Sequence, residues 1–461
     1  MTLPRFAIVG HPNKGKSSIV ATLAEDDSVA ISPEPGTTRS ARTYPMRLDG
    51  VVLYELTDTP GFQRAREVLA WLVAHDRGAG ARAAVVREFV EQHRSDTRFH
   101  DECELLHPIL DGAGILYVVD GSRPYGGEYE PEMEVLRWTG KPRMALINLI
   151  GGGDHVDEWR AALAQYFSIV RVFDAMRADF SRRIELLRAF GALDETWAAA
   201  LNDAAAALER DRERRRVRAA SEIADLLIAV LTATESSKLP SDVPDPGIEN
   251  ATRARLRRTV GERELAARRA VQEIYHHDGL DAHEATAAYL DEDLFSQRSF
   301  SVFGLSSAQL AMTGAASGAV AGGVIDALLG GTSLFLGAGI GALVGAAGTL
   351  IGSDRLAKVA VLGQPVGGFE VRLGPITDPN FPWVMLGRAL LHARLVAERN
   401  HARRETLVID AAAGEHFADS IDAPARRTLD AIFRELRSNG GIDATTRARL
   451  VDAVAARVER S

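Results

Sequence analysis

The feature that most constrains this chain is the segment Gly10-His11-Pro12-Asn13-Lys14-Gly15-Lys16-Ser17. The apolar run Phe6–Val9 precedes it and predicts a strand, and Ser18–Leu23 follows it with helical character. A strand, a glycine-rich turn and a helix are the setting that a phosphate-binding P-loop requires. The glycines let backbone amides point at phosphate oxygens, and the positive end of the helix adds favourable charge. The segment therefore predicts a site for a nucleoside triphosphate.

Two downstream motifs supply the other parts of such a site. The strand predicted at Val51–Leu56 leads into Asp58-Thr59-Pro60-Gly61, where a carboxylate suits Mg²⁺ and a glycine amide suits the γ-phosphate. Between this motif and the P-loop lies Pro35-Gly36-Thr37-Thr38-Arg39, which is placed for a threonine that closes on the metal. The order and spacing of the three motifs predict a nucleotide bound with Mg²⁺.

The chemistry of these side chains predicts their roles. Lys16 can reach the β- and γ-phosphates, and the Ser17 hydroxyl can bind Mg²⁺. The predicted nucleotide-binding residues are Gly10, Asn13, Lys14, Gly15, Lys16, Ser17, Ser18 and Asn148. The predicted Mg²⁺ ligands are Ser17, Asp58 and one of the two threonines, Thr38 or Thr37. The predicted catalytic residues are Lys16, Thr38 and Gly61.

Together these motifs resemble those of the TrmE–Era–EngA–septin-like group of P-loop GTPases. The resemblance covers about residues 1–180, and it implies an enzyme that binds GTP and GDP and hydrolyses GTP. It also implies a K⁺ ion held by Asn13 and by the backbone of Gly36–Thr38, acting as a built-in positive charge beside the transferred phosphate. Phe62 stands where Ras-type enzymes carry a catalytic glutamine, so the resemblance is to the subgroup with a hydrophobic residue there, and Gln63 follows one position later.

The motif that reads guanine departs from the group. After the strand predicted at Met144–Ile147, the resemblance requires Asn-Lys-x-Asp, but the chain has Asn148-Leu149-Ile150-Gly151. The lysine and the aspartate are therefore missing, and Asp154 comes three residues late. The resemblance alone favours GTP over ATP as the bound nucleotide, and the sequence leaves both alternatives open.

The alternation of predicted strands and helices in residues 1–180 predicts an α/β fold, with a mostly parallel sheet and helices on both faces. Further strands are predicted at Gly114–Asp120 and Ser168–Phe173, with a helix near Glu130–Trp138. Helical spacing within Arg64–His107 predicts an insertion after the second switch segment. We expect this insertion to pass the nucleotide state to an unidentified protein partner or to the rest of the chain. The alternative is a passive helical hairpin.

The composition changes beyond residue 180. Ala, Arg, Glu and Leu dominate from Phe180 to Leu294, which predicts helices and no strands. The predicted domains are a P-loop GTPase domain at 1–180 with its insertion at 64–107, a mainly helical region at 181–298, an apolar helical hairpin at 299–353, and a small α+β domain at 354–461. The last of these has strands predicted at Lys358–Leu362, Phe369–Leu373 and Thr406–Asp410, and a helix at Phe381–Arg403.

The segment Ser299–Ser353 carries one charged residue, Asp326. The apolar runs Val302–Ile325 and Ala327–Ile351 are each long enough to cross a bilayer as a helix, for which about 20 residues suffice. Glycines recur four residues apart, as in a glycine zipper, so that helices can pack closely. They include Gly314, Gly318 and Gly322, and then Gly337, Gly341 and Gly345. The segment predicts a membrane-associated hairpin with both ends in the cytoplasm. The alternative is a hairpin buried in the protein's own core.

Charge and cysteine content narrow the class of protein. A formal net charge of −9 argues against a nucleic-acid partner, and the single cysteine, Cys103, excludes a disulfide framework. The amino terminus enters the first strand without a signal peptide. We therefore expect a cytoplasmic protein on or in the cytoplasmic face of the inner membrane, acting as a GTP-hydrolysing switch. The alternative is a soluble, Era-like GTPase in ribosome or RNA assembly.

Overall fold

A computed structural model describes most of the chain. The described residues are 3–26, 28–29, 31, 38–151, 154–240, 243–277, 349–352, 360–361, 364–365, 369–402 and 421–458. They form two compact units, Met1–Arg212 with Glu398–Arg404, and Glu213–Ala397 with Glu405–Ser461. Apart from residues 349–352, the predicted apolar hairpin lies outside the described residues. Within the described ranges, every helix is too short or too polar to cross a membrane.

The first unit is an α/β domain. Its strands are β1 (Arg5–Val9), β2 (Arg42–Leu48), β3 (Val51–Asp58), β4 (Gly114–Asp120), β5 (Arg143–Asn148) and β6 (Ile169–Val172). Its helices are α1 (Lys16–Ala24), α2 (Ala65–Ala74), α3 (Arg82–His93), α4 (His100–Leu110), α5 (Glu130–Trp138), α6 (Val156–Leu163) and α7 (Phe180–Gly191). The long helix α8 (Glu195–Leu231) begins in this unit and continues into the second.

The sheet has the order β2-β3-β1-β4-β5-β6. Strand β1 pairs in parallel with β3 and β4, the remaining pairs toward β6 are also parallel, and only β2 is antiparallel to its neighbour. Alternate residues of β1 belong to two different hydrophobic cores, with Phe6 and Ile8 in one and Ala7 and Val9 in the other. Both faces are therefore covered, which confirms the predicted fold class. Strand β2 was not predicted because it is an edge strand with exposed polar residues and Pro45.

The predicted insertion at residues 64–107 contributes a layer of the domain. Helices α2, α3 and α4 bury Leu72, Phe89 and Leu106 in the core that also contains Ala7 and Val9 of the central strand. The runs with helical spacing are Glu67–Val73 and Ala84–Val90, and they lie within α2 and α3, whereas α4 was not predicted. This layer is therefore packed against the central sheet and belongs to the core of the domain.

The second unit combines helices with short strands. Its strands are β7 (Glu235–Leu239), β8 (Thr349–Gly352), β9 (Ala360–Val361), β10 (Gln364–Pro365) and β11 (Phe369–Leu373). Its further helices are α9 (Pro246–Ile274), α10 (Phe381–Glu398), α11 (Ala423–Asn439) and α12 (Ala444–Val458). Strand β11 pairs antiparallel with β7 on one side and β8 on the other. The mainly helical region with a small antiparallel sheet agrees with the predicted class.

Three local predictions are wrong here. Strand β7 lies in a region predicted to have no strands, because pairing with β11 overrides the polar sequence of this segment. Residues Thr349–Gly352 form a strand, not the end of an apolar helix, and two of the four are β-branched. Helix α10 ends at Glu398, before Arg403, because the Asn400 side chain bonds backbone groups outside the helix. The strand predicted at Thr406–Asp410 lies outside the described residues.

Candidate nucleotide-binding site

The candidate site lies where parallel strands end. Gly10 follows β1, and Asp58, Asp120 and Asn148 are the last residues of β3, β4 and β5. In an open parallel sheet, the carboxyl ends of adjacent strands form the crevice in which ligands bind. The topology therefore brings residues from four strands to one edge.

The P-loop has the backbone conformation that phosphate binding needs. Gly15 lies in the left-handed region with φ 79°, and a Cβ atom there would stand 2.3 Å from Asn148 Nδ2. Asn13 is also left-handed with φ 59°, which asparagine tolerates better than most residues. Helix α1 begins at Lys16, directly after Gly15, so its first amides line the loop. Both the conformation and the close approach exclude a larger side chain at position 15.

Lys16 is held inside the loop. Its Nζ donates to the carbonyl oxygens of His11, at 3.0 Å, and Gly10, at 3.3 Å. Burial lowers the pKa of Lys16 to about 8, and the nearby Asp58 carboxylate opposes that shift. A buried ammonium surrounded by loop carbonyls is placed to neutralise phosphate oxygens that approach the same loop.

The hydroxyls of Ser17 and Thr38 both bond the Asp58 carboxylate. Ser17 Oγ donates to Asp58 Oδ2 at 2.7 Å, and Thr38 Oγ1 donates to the same oxygen at 3.0 Å. Among the described residues, the other carboxylate oxygen, Oδ1, is buried without a hydrogen-bond partner. Burial raises the pKa of Asp58. A cation beside the carboxylate would lower that pKa again. Two hydroxyls and a carboxylate are the hard ligands that Mg²⁺ prefers, so these residues fit the ion. Thr37 lies outside the described residues.

Switch II (Asp58–Arg64) lies directly against the P-loop. Phe62 N donates to Gly10 O at 3.2 Å, and Thr59 Oγ1 donates to Ile8 O at 2.8 Å. A Cβ atom on Gly61 would stand 2.5 Å from Pro12 N. The Phe62 ring is buried in the core formed with α2, α3 and α4, so it anchors switch II to the insertion. Gln63 is exposed.

Asn148 bridges two loops. Its Nδ2 donates to Lys14 O at 3.1 Å, and its Oδ1 accepts from Ala175 N, in the loop after β6, at 3.2 Å. Gly151 occupies the position of the guanine-reading aspartate, and its N donates to Ser122 Oγ at 2.8 Å. Asp154 is exposed, and its Oδ1 accepts from Val156 N at 3.4 Å, at the start of α6. The intervening Gly152 and Gly153 lie outside the described residues.

The remaining predicted residues are placed around the same loop. Lys14 is buried, with its Nζ 3.8 Å from Asp120 Oδ2, and Ser18 lies in the first turn of α1, with its carbonyl oxygen 2.8 Å from Thr22 Oγ1. The Asn13 side chain is exposed, as a ligand of an incoming ion would be. Gly36, its predicted partner at the K⁺ ion, lies outside the described residues, so the K⁺ site stays a prediction.

Two family models match the chain. Residues 160–458 match a family described as a domain of unknown function, DUF3482. The chain belongs to the DUF3482 family. Residues 5–148 match the family described as 50S ribosome-binding GTPase. The amino-terminal unit of this DUF3482 protein is therefore a P-loop GTPase domain.

Curated relatives of this DUF3482 protein are similar to its amino-terminal part. GTPase Der of Mycoplasma pneumoniae is 31% identical over 126 residues, which are 27% of this chain and 22% of that protein. GTPase Der of Stenotrophomonas maltophilia is 32% identical over 167 residues, which are 36% of this chain and 29% of that protein. The chain thus spans less than a third of the length of these relatives.

Solved structures of two GTPases are also similar. Aquifex aeolicus Era bound to GDP·AlF₄⁻ has a TM-score of 0.30 and 16% identity, covering 60% of this chain and 90% of that one. NFeoB of S. thermophilus bound to GDP·AlF₄⁻ and K⁺ has a TM-score of 0.27 and 13% identity, covering 60% of this chain and 84% of that one.

Helix α4 of the DUF3482 protein carries site residues that the sequence did not reveal. Glu102 is fully buried, and its Oε1 accepts from two successive amides of switch II, Gln63 N at 2.9 Å and Arg64 N at 2.6 Å. Arg64 caps α2, so Glu102 also satisfies amides at the start of that helix. Burial raises the pKa of Glu102. The sequence carries no local signal for this role, because the amides that Glu102 accepts from lie 38 and 39 residues earlier in the chain.

The same helix contacts the end of the first switch segment, residues 35–41, which is called switch I and contains Thr38. Glu104 Oε2 accepts from Ala41 N at 2.8 Å, and His100 Nε2 donates to Arg39 O at 3.1 Å. Both partners are main-chain groups just after the predicted switch threonine, Thr38. Three residues of one helix therefore bind the backbone of both switch segments.

Proposed function

We propose that this DUF3482 protein is a GTP-hydrolysing switch. The observation that carries the proposal is the Asp58 carboxylate, which gathers Ser17 of the P-loop and Thr38 of switch I at one buried oxygen. A triphosphate bound with Mg²⁺ is the ligand that suits this donor set beside Lys16. Phosphate release from GTP by the purified full chain, with Mg²⁺ and with EDTA, tests the proposal. Release that depends on Mg²⁺ supports it, and no release in either condition contradicts it.

The residues of the site divide the work of hydrolysis. P-loop amides and Lys16 would hold the β- and γ-phosphate oxygens. Ser17, Thr38 and Asp58 would hold Mg²⁺, which would supply positive charge against the phosphates. The Gly61 amide contacts the γ-phosphate. Loss of the γ-phosphate removes the partner of Gly61 and one reason for Thr38 to stay closed. Both switches are then released from the phosphates while they remain bonded to α4.

We propose that α4 passes the nucleotide state to a protein partner that binds residues 64–107. Glu102 bonds switch II and Glu104 bonds switch I, so neither switch can move without breaking a bond to α4 or moving it. Hydrogen exchange measured with a non-hydrolysable GTP analogue and with GDP tests this coupling. We expect exchange in α2 and α4 to differ between the two states, while α6 serves as the control. Identical exchange throughout residues 64–107 would contradict the coupling.

We also propose that K⁺ stimulates hydrolysis through Asn13. The support is the exposed, left-handed Asn13 in the P-loop, together with the motifs that resemble the K⁺-binding group. Hydrolysis is measured in K⁺ and in Na⁺ at equal ionic strength. We expect a faster rate in K⁺ for the wild type and equal rates for Asn13→Ala. A wild type with equal rates in the two salts would remove this part of the proposal.

The proposed location is the cytoplasmic face of a membrane. The support is the sequence of residues 299–353, with its single charge and its glycines four residues apart. Fractionation of the expressed protein, followed by salt and carbonate washes, tests the location. Resistant pelleting with membranes supports it, and full recovery in the supernatant contradicts it. Gly341→Leu is expected to disturb hairpin packing and leave hydrolysis unchanged.

A second candidate is a GTPase of ribosome or RNA assembly. The description of the family matched by residues 5–148, a 50S ribosome-binding GTPase, favours it. The net charge of −9 counts against direct binding to nucleic acid. The same fractions separate the candidates, because a ribosome-bound protein sediments with ribosomes in a sucrose gradient and detaches in high salt.

Base preference can be strengthened by a single substitution. Gly151 stands where the guanine-reading aspartate is expected, and a Cβ atom there would meet Ser122 alone among the described residues, with Oγ at 3.1 Å. Gly151→Asp should therefore fold, and its carboxylate can accept two hydrogen bonds from guanine. We expect the preference for GDP over ADP to rise by about tenfold or more. Competition binding with the two diphosphates measures the ratio, and an unchanged ratio would mean that the base does not reach residue 151.

A further inference from the structure

A short segment from the carboxyl-terminal half of the chain is built into the GTPase domain. Residues Glu398–Arg404 belong to the first unit, although the preceding residues from Glu213 to Ala397 belong to the second. Asn400, His401 and Ala402 are all buried. Ala402 lies in the core that contains Phe6 and Ile8 of the central strand. A segment outside residues 1–180 therefore completes the core of the nucleotide-binding domain.

The Asn400 carboxamide uses its full hydrogen-bonding capacity. Its Oδ1 accepts from Thr22 Oγ1 at 2.7 Å and from Ala402 N at 3.0 Å. Its Nδ2 donates to Ala175 O at 2.7 Å and to Ala178 O at 3.3 Å. An amide has two donor hydrogens and two acceptor positions, and all four have partners. An aspartate would face two carbonyl oxygens without a donor, so the contacts select asparagine.

The loop that Asn400 holds is connected to the P-loop. Ala175 N donates to Asn148 Oδ1, and Asn148 Nδ2 donates to Lys14 O. The loop Asp174–Ala178 follows β6, at the same edge of the sheet as the P-loop. With the phosphates at Lys16 and Asp58, the rest of a nucleotide has to extend along this edge toward Asn148 and the loop. The loop is thus fixed on one side by Asn148 and on the other by Asn400.

We propose that Asn400 is a positioning residue for the base of the bound nucleotide. It fixes the loop Asp174–Ala178 through the carbonyls of Ala175 and Ala178, and the loop presents its backbone to the base. Among the described residues, the hydrogen-bond partners of Asn400 are Thr22, Ala175, Ala178 and Ala402, and none of these is a predicted phosphate-binding residue. Its contribution therefore concerns the base and not the phosphates. This inference rests on the proposed nucleotide site. It makes a segment that follows α10 a necessary part of that site.

The test compares a ligand with a base to a ligand without one. Dissociation constants are measured by calorimetry for GDP and for tripolyphosphate, each with Mg²⁺ and the full chain. For Asn400→Ala we expect GDP binding to weaken by about tenfold or more, with tripolyphosphate binding unchanged. Asn400→Asp should weaken GDP binding at least as much, because its carboxylate faces the two carbonyls. The value of kcat at saturating GTP should stay close to that of the wild type, while KM rises.

The matched control is Asn202→Ala, which replaces an exposed asparagine of α8 in the same unit. It should bind both ligands as the wild type does. If Asn400→Ala does not fold, Thr22→Val provides the test instead, because it removes one hydrogen bond to Asn400 and keeps the side-chain shape. We expect Thr22→Val to weaken GDP binding and to leave tripolyphosphate binding unchanged. Equal losses for GDP and tripolyphosphate, or unchanged GDP binding, would overturn the inference. A wild type that binds neither ligand would contradict the nucleotide site itself.

Discussion

Replacing Gly61 by alanine is expected to slow GTP hydrolysis by about 100-fold while leaving GDP affinity nearly unchanged. A Cβ atom at this position would stand 2.5 Å from Pro12 N and 2.7 Å from two carbons of the proline ring. The neighbour is P-loop backbone and a rigid ring, so switch II has to move away. That movement withdraws the Gly61 amide from the γ-phosphate, and losing one donor of this kind typically costs about 3 kcal/mol of transition-state stabilisation. GDP has no γ-phosphate, so its binding is spared.

The matched control for this substitution is Gly80→Ala, between α2 and α3. Among the residues that the structure describes, none lies within 4 Å of a Cβ atom placed on Gly80, so this variant should hydrolyse GTP at the wild-type rate. Single-turnover phosphate release and fluorescent GDP titration measure the two quantities for each variant. If Gly61→Ala hydrolysed GTP as fast as Gly80→Ala, the amide of Gly61 would have no part in the reaction. If it also failed to bind GDP, the clash would be reshaping the P-loop itself.

The parts of this site that the sequence predicts are those in which a functional residue is positioned by a strand or helix next to it in the sequence. The run from Phe6 to Ser17 predicts a strand, a turn and the start of a helix. Asp58 and Asn148 could be predicted because each follows the apolar pattern of the strand that it ends. The predicted sheet followed from the same local patterns. Glu102 and Asn400 could not be found in this way, because each acts on backbone amides or carbonyls far away in the sequence. No local pattern identifies which main-chain group a distant side chain will meet.

The wrong predictions have a related cause. Strands β2 and β7 are polar segments whose ladder partners decide their conformation, so neither shows the alternation of a half-buried strand. Conversely, the Gly and Ala residues near Thr349 led to the prediction of a helix for a segment that forms a strand and pairs with β11. Phe62 illustrates the opposite case. The sequence showed that a phenylalanine replaces the catalytic glutamine at this position. The structure adds that the Phe62 ring is buried in the core formed with α2, α3 and α4.

Lys16→Met is expected to weaken GDP and GTP binding by about 1,000-fold, or about 4 kcal/mol, and to raise the melting temperature at pH 7. Binding falls because methionine fills the space of the lysine stem but offers no charge to the phosphates. Stability rises because the Lys16 ammonium is buried in the folded protein. Burial lowers the pKa of Lys16 from 10.5 to about 8, so the folded state holds its ammonium less readily than the unfolded state does. Binding by fluorescent GDP titration and unfolding by circular dichroism measure the two effects on the same preparation.

The pH dependence separates this explanation from a general change in packing. Below pH 8 both the folded and the unfolded chain carry the Lys16 proton, and the unfavourable burial of the ammonium is fully present. Between pH 8 and 10.5 the folded chain releases this proton before the unfolded chain does, so the penalty declines as pH rises. The gap in melting temperature between Lys16→Met and the wild type should therefore be largest at pH 7 and shrink by pH 9.5. A variant that melts below the wild type at pH 7, or a gap that grows with pH, would show that the Lys16 ammonium stabilises the P-loop.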